Sequence, residues 1–119
     1  KTYVLVDKKT SSAAEKVIAH TFLIDEDRVE LIGENTSGCL DFGGVYYYEL
    51  PNTKIEISLC INAYKDTGLL SKNPNWHGDT KGFYPDYWAT NENVLDTLVY
   101  LTKDEELRTV LADLDKGIQ

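Results

Sequence analysis

The 119-residue sequence has no methionine, two cysteines, two histidines and three prolines. A translation product starts on methionine, so the sequence is expected to be a processed, truncated or internal segment. Its length fits one domain or a piece of a larger one. Cys39 and Cys60 form neither a metal spacing nor a disulfide scaffold. One bridge would need two strands to bring them together, and the plain expectation is two partly buried thiols. His20 and His77 lie far apart and the acids show no ligand spacing, so neither a metal nor another cofactor is expected. Asp25-Glu26-Asp27 is too short for a calcium loop and lacks its central glycine; it reads as a solvated turn. Basic residues are also few: twelve Lys and Arg against twenty Asp and Glu, for a net charge of -8. Without clustered cations, nucleic-acid backbone binding is excluded as a function class. No apolar run approaches about 18 residues, so no membrane span is expected in this segment.

Aromatic residues, by contrast, are plentiful. Eight are tyrosines, too many for a disordered acidic tail, so a packed domain is expected. Tyr3-Val4-Leu5-Val6 is a short continuous apolar run and reads as a buried, parallel strand covered on both faces. Asp7-Lys8-Lys9-Thr10 breaks it. Ala13, Ala14, Val17, Ile18, Phe22 and Leu23 then recur at helical spacing, which predicts a helix over 12–23. Ser11 or Ser12 would cap it, and Glu15 stands three residues after Ser12, as in a capping box. Val29-Glu30-Leu31-Ile32-Gly33 reads as a second strand. Strand, helix and strand within about thirty residues make a βαβ unit and predict a layered α/β fold with a right-handed crossover.

Residues 33–44 have loop composition, with four glycines. They include a glycosylation sequon at Asn35-Thr36-Ser37, a pattern common by chance. Val45–Leu50 and Lys54–Ile61, joined by Pro51-Asn52-Thr53, predict an antiparallel hairpin whose second strand is half-buried by its alternation. Residues 62–90 read as a loop ordered by Trp76, Phe83, Tyr84, Tyr87 and Trp88. Asn91 would cap a helix over 92–101 with Val94, Leu95, Leu98 and Val99 inward. Thr102 would cap a last helix carrying Leu107, Val110, Leu111 and Leu114, with Glu105 three residues on.

The chemically informative stretch is Thr10-Ser11-Ser12-Ala13-Ala14-Glu15. A serine between a strand and a helix can be a cap. It can also be a nucleophile, because the tight junction exposes its hydroxyl and the helix start offers unpaired amides and a positive dipole end for an oxyanion. This run, with Val4-Leu5-Val6-Asp7 before it, resembles the nucleophile motif of the family S41 peptidases, the tail-specific or C-terminal processing proteases and their tricorn-like relatives. Leu31-Ile32-Gly33-Glu34-Asn35-Thr36-Ser37-Gly38 resembles that family's second strand and its Gly-Glu-x-Thr-x-Gly loop. Lys81-Gly82-Phe83-Tyr84-Pro85-Asp86 resembles its Gly-x-x-Pro-Asp segment. The three blocks occur in the family's order and cover almost the whole chain.

The resemblance implies that residues 1–119 are the C-terminal part of a serine peptidase catalytic domain. It further implies a partial crotonase/ClpP-like ββα spiral built on the βαβ core, the hairpin and C-terminal helices. Ser12 would be the nucleophile, and the Ala13 amide one oxyanion donor. The second donor and the remainder of the protease domain would lie upstream. Processing proteases carry a lysine base after the loop glycine; here Cys39 stands there. The chain is therefore more similar to the tricorn-like branch, in which an upstream histidine activates the serine and a glutamate supports it. Asp79 occupies that glutamate's position. His20, eight residues after Ser12, would lie about 12 Å along a helix, too far for a direct hydrogen bond. His77 could reach Ser12 only if its loop folded over the strand ends. The implied partner is a peptide or protein substrate, and the implied location is extracytoplasmic or secreted. A non-catalytic ligand-binding relative and an unrelated α/β domain remain as the other readings, and the isolated segment is expected to be inactive.

Overall fold

The computed structural model describes residues 1–63 and 68–110. In chain order its elements are β1 (Thr2–Val6), α1 (Ala13–Ile24), a 3-10 turn (Glu26–Arg28), β2 (Val29–Gly33), β3 (Phe42–Glu49), β4 (Glu56–Ala63), β5 (Tyr87–Trp88) and α2 (Val94–Thr102). β1 and β2 pair in parallel, from Thr2 opposite Val29 to Val6 opposite Gly33, so the predicted strand–helix–strand unit is present. β5 joins the other side of β2 in parallel and gives the order β1-β2-β5. The sequence reading had no strand at 87–88, because two residues offer no alternation to detect. What holds them is specific. The Asp86 carboxylate accepts the Leu31 amide at 2.7 Å, the Asp86 amide donates to the Leu31 carbonyl, and the Ala89 amide donates to the Gly33 carbonyl.

Ile18, Ala19 and Phe22 on one face of α1 pack with Val6, Val29, Leu31 and Phe83. Burial of this kind contributes roughly 1.5–3 kcal/mol per large side chain. The inward face differs from the predicted one. Val17 and Leu23 are exposed, as are Ala13 and Ala14, and the residue completing the buried stripe is Glu15. β1 also departs from expectation: among the described residues it lies at the edge of the sheet, and Leu5 stands 49% exposed rather than covered. Gly33 ends β2 at φ +135°, where a Cβ would sit 1.9 Å from the Val6 carbonyl oxygen. Only glycine lets β2 close against β1 there.

The hairpin runs longer than predicted at its root, with Phe42 opposite Ala63 and Glu49 opposite Glu56. Its second strand is exposed throughout, not half-buried. Alternation places Phe42, Tyr46, Tyr48, Ile57, Leu59 and Ile61 on one face, but nothing in the described chain covers that face. The hairpin projects, and the radius of gyration is 18.0 Å. A close-packed chain of this length would have about 13.5 Å.

The cap of α2 is Asn93, not Asn91, and the Asn93 Oδ1 accepts the Thr90 amide at 2.7 Å. Thr102 belongs to the end of α2, where its hydroxyl donates to the Leu98 carbonyl. The following helical turn, which includes Leu107 and Val110, is capped instead by Asp104, whose Oδ1 accepts the Glu106 and Leu107 amides. Leu111 and Leu114 lie outside the described residues. No helix of the described residues is long and apolar enough to cross a membrane.

Candidate active site

β1 ends in a turn built by Asp7. Its Oδ1 accepts the Lys9 and Thr10 amides at 2.9 Å and the Thr10 hydroxyl at 3.0 Å. Burial acts to raise the Asp7 pKa. The Thr10 hydroxyl, the two amides and the Lys9 charge outweigh it and hold the carboxyl below its ordinary value. The chain then enters α1 through Ser12, whose backbone adopts φ 52°, ψ -111°. A capping serine normally has extended backbone and folds its hydroxyl onto the first turn. Ser12 has a positive φ, a conformation that costs a non-glycine residue about 1–3 kcal/mol. Its side chain faces the Glu15 amide as in a capping box, without a hydrogen bond good enough to cap it. Ser12 is solvent-exposed.

Glu15 holds this junction in place. Its side chain is completely buried. Oε2 accepts the Ser12 amide at 2.9 Å, the carboxylate half of the predicted capping box. Oε2 also accepts the Cys39 amide at 2.9 Å, and Oε1 accepts the Gly38 amide at 2.7 Å and the Thr36 hydroxyl at 2.5 Å. Four donors on one carboxylate offset the cost of burying it. They tie the serine junction to the 36–39 loop, and the Ser37 amide adds a bond to the Thr10 carbonyl.

The 79–83 segment locks the same loop from the other side. The Thr36 amide donates to the Phe83 carbonyl, the Phe83 amide to the Thr36 hydroxyl at 2.7 Å, and the Thr80 amide to the Gly38 carbonyl at 2.7 Å. The backbones approach so closely that a Cβ on Gly82 would lie 2.2 Å from Thr36 Oγ1. A Cβ on Gly38 would lie 2.5 Å from the Gly82 nitrogen. Three stretches singled out in the sequence, at 10–15, 33–38 and 81–86, thus meet in one hydrogen-bonded assembly.

Beside it lies a cleft of about 280 Å³ lined by Ser12, Ala13, Lys16, Cys39, Leu40, Phe42, Gly43 and Gly44. The Ala14 and Lys16 amides donate to the Ser11 and Ser12 carbonyls. The Ala13 amide, first in α1, has no helical acceptor, and Ala13 is one of the residues lining the cleft. Asp79 does not line the cleft. Its Oδ1 accepts the Leu40 and Asp41 amides, both at 3.0 Å, so it positions the cleft wall. Cys39 is a free, exposed thiol at the cleft, and Cys60 is free and exposed on β4, so neither is the partly buried thiol expected.

Neither histidine lines the cleft. The His77 ring stacks on Tyr84 with centroids 3.9 Å apart, and its backbone amide bonds the Gly82 carbonyl. His20 is exposed on α1, with Nδ1 2.9 Å from the Lys16 carbonyl oxygen. Among the described residues no group of three or more His, Cys, Asp and Glu is arranged to hold a metal ion.

Sequence reasoning treated Glu15 as a local cap and overlooked its reach to residues 36–39. A signal was available: Glu15 shares a helix face with Ile18 and Phe22, and a carboxylate on a core face must find donors. No protein-family model matches the chain, and no curated protein matches it.

Proposed function

We propose that this chain carries the nucleophile of a serine peptidase related to the tail-specific and tricorn-like proteases, with Ser12 as the attacking residue. The observation that carries the reading is the Ser12 backbone, φ 52° and ψ -111°, at an exposed junction between a parallel strand and a helix. A positive φ retained at an exposed serine beside a cleft, over and above its place in a capping box, is the kind of strain found at catalytic sites. Glu15 and the 36–39 loop supply the rigid support that such a site needs. The βαβ core, hairpin and α2 would then belong to a crotonase/ClpP-like spiral completed by an upstream part of the domain.

In this reading Ser12 Oγ loses its proton to a base, attacks the scissile carbonyl and forms an acyl-enzyme. The Ala13 amide stabilises the developing oxyanion together with a donor from the upstream part of the domain. The leaving amine takes up the proton, and water releases the acyl group. Asp79 acts by fixing the Leu40–Asp41 backbone. The substrate is a peptide or protein.

Fluorophosphonate labelling of the full-length protein tests this directly. Labelling is expected in the wild type and absent in Ser12→Ala. A folded full-length protein that takes up no label would sink the nucleophile and leave a ligand-binding relative.

A further inference from the structure

We infer that a second copy of this chain covers the apolar face of the β3–β4 hairpin, the two hairpins packing face to face and running in opposite directions. The inference is independent of the role given to Ser12. The register puts Phe42, Tyr46, Tyr48, Ile57, Leu59 and Ile61 on one face. Each is between 37% and 60% exposed, and no residue of that face is charged. An aromatic side chain can bury about 150–250 Å² and an aliphatic one somewhat less, so six of them at about half exposure leave roughly 600 Å² open. The largest apolar patch of an ordinary monomer is about 300–600 Å². Two such faces pressed together remove about 1,200 Å² from water, which reaches the lower bound of a specific, stable interface. The face is therefore large enough to bind its own copy.

Its relief is uneven, and the unevenness matches itself. Gly44 and Ala63 leave low spots toward the root, while Tyr46, Tyr48, Ile57 and Leu59 raise the half toward the tip. A two-fold axis lying between the hairpins, across the strands and midway between residues 44 and 46, sets Tyr46 of one copy over Gly44 of the other. The same axis sets Ile57 over Ala63. Large against small is how facing layers interdigitate. Gly44 stays bare for a reason of its own: at φ +67° a Cβ would come 2.5 Å from the Asn62 amide nitrogen. Charge sets the direction. Glu49 and Glu56 stand opposite each other at the tip, and packing tip on tip would gather those of both copies. Running in opposite directions separates the two tips by about 27 Å, eight residues at about 3.4 Å each. That exceeds the screening length of about 8 Å at physiological salt. A two-fold arrangement also closes after two copies.

Sedimentation velocity on the full-length protein at micromolar concentration tests this, with Tyr46→Glu and Val45→Glu as matched variants. Both add one negative charge, at neighbouring positions of β3, but Val45 pairs with Cys60 on the opposite face. Wild type and Val45→Glu are expected to sediment as dimers. In Tyr46→Glu the two introduced carboxylates flank the axis, so the dimer should dissociate about tenfold more readily or be lost. Ile61→Lys should act like Tyr46→Glu, and it decides the matter if Tyr46→Glu fails to fold by circular dichroism. A wild type that stays monomeric overturns the inference and means that another segment or another protein covers the face. A dimer that survives Tyr46→Glu and Ile61→Lys overturns it as well, as does one lost equally in Val45→Glu.

Discussion

The Thr36 hydroxyl donates to Glu15 Oε1 at 2.5 Å, and both side chains are completely buried. The same hydroxyl oxygen accepts the Phe83 amide at 2.7 Å, so one atom joins α1 to the 79–83 segment. Thr36→Val keeps the shape and removes both bonds. It leaves the buried Phe83 amide without its acceptor, at a cost of about 1–3 kcal/mol, and takes from Glu15 Oε1 one charge-assisted bond while the Gly38 amide stays on it. Urea unfolding should show Thr36→Val less stable than wild type by about 2–4 kcal/mol, and Thr36→Ser should lose about 1 kcal/mol for the missing methyl group. Equal losses in the two variants would contradict the role given to the hydroxyl.

Ser12→Gly should raise stability while ending chemistry. Glycine adopts φ 52° without the steric cost borne by serine, a relief of about 1 kcal/mol or more, less the extra entropy of the unfolded glycine chain. Ser12→Ala keeps the Cβ and the strain, so it should gain nothing. The comparison needs only the unfolding midpoints of the three proteins. A less stable Ser12→Gly would mean that the junction is relaxed in the native state.

Gly82→Ala should be among the most damaging single-methyl additions in the chain. The new Cβ would approach Thr36 Oγ1 at 2.2 Å and the Thr36 carbonyl oxygen at 2.5 Å, from a backbone at φ +74°. Steric conflict with backbone cannot be relieved by a rotamer change, so the 79–83 segment must move off the 36–39 loop. Trp76 packs on Phe83 with ring centroids 4.9 Å apart, which makes its fluorescence a local reporter. An unchanged spectrum and midpoint in Gly82→Ala would refute the close contact.

Acid should act partly through Asp7. Its pKa is lowered in the folded protein, so it contributes stability above its unfolded value of about 3.9 and loses that contribution as pH falls through the folded value. Wild-type stability should therefore fall more steeply below about pH 4 than that of Asp7→Asn, which keeps an acceptor oxygen without titrating. Parallel curves in that window would remove Asp7 from the acid response.

Much of the local structure was legible because its cause is local. The Ile18 and Phe22 spacing makes α1 readable, and the short apolar stretch of Val29, Leu31 and Ile32 makes β2 readable. The helix start could be narrowed to Ser11 or Ser12, but the positive φ of Ser12 could not be read, since residues 36–39, gathered by Glu15 at Gly38 and Cys39, lie far off in sequence. β5 escaped because two residues held by Asp86 carry no period. Asp79 was singled out by position alone, and only the fold shows its carboxylate spent on the Leu40 and Asp41 amides. Lys16, Leu40 and Phe42 escaped as cleft residues because α1 and the root of β3 come together only in three dimensions.

The projecting hairpin bears on how the protein can be handled. Among the described residues β3 and β4 pair only with each other, leaving one open edge along each eight-residue strand. Their charges, Glu49, Lys54 and Glu56, cluster at the tip, while Val45 to Tyr48 and Ile57 to Ile61 carry none. Such edges template further strands, and no lysine or proline interrupts them. Concentrated preparations of this segment will grow by strand addition from the hairpin, and a lysine placed at Tyr47 or Leu59 is the direct means of stopping that growth.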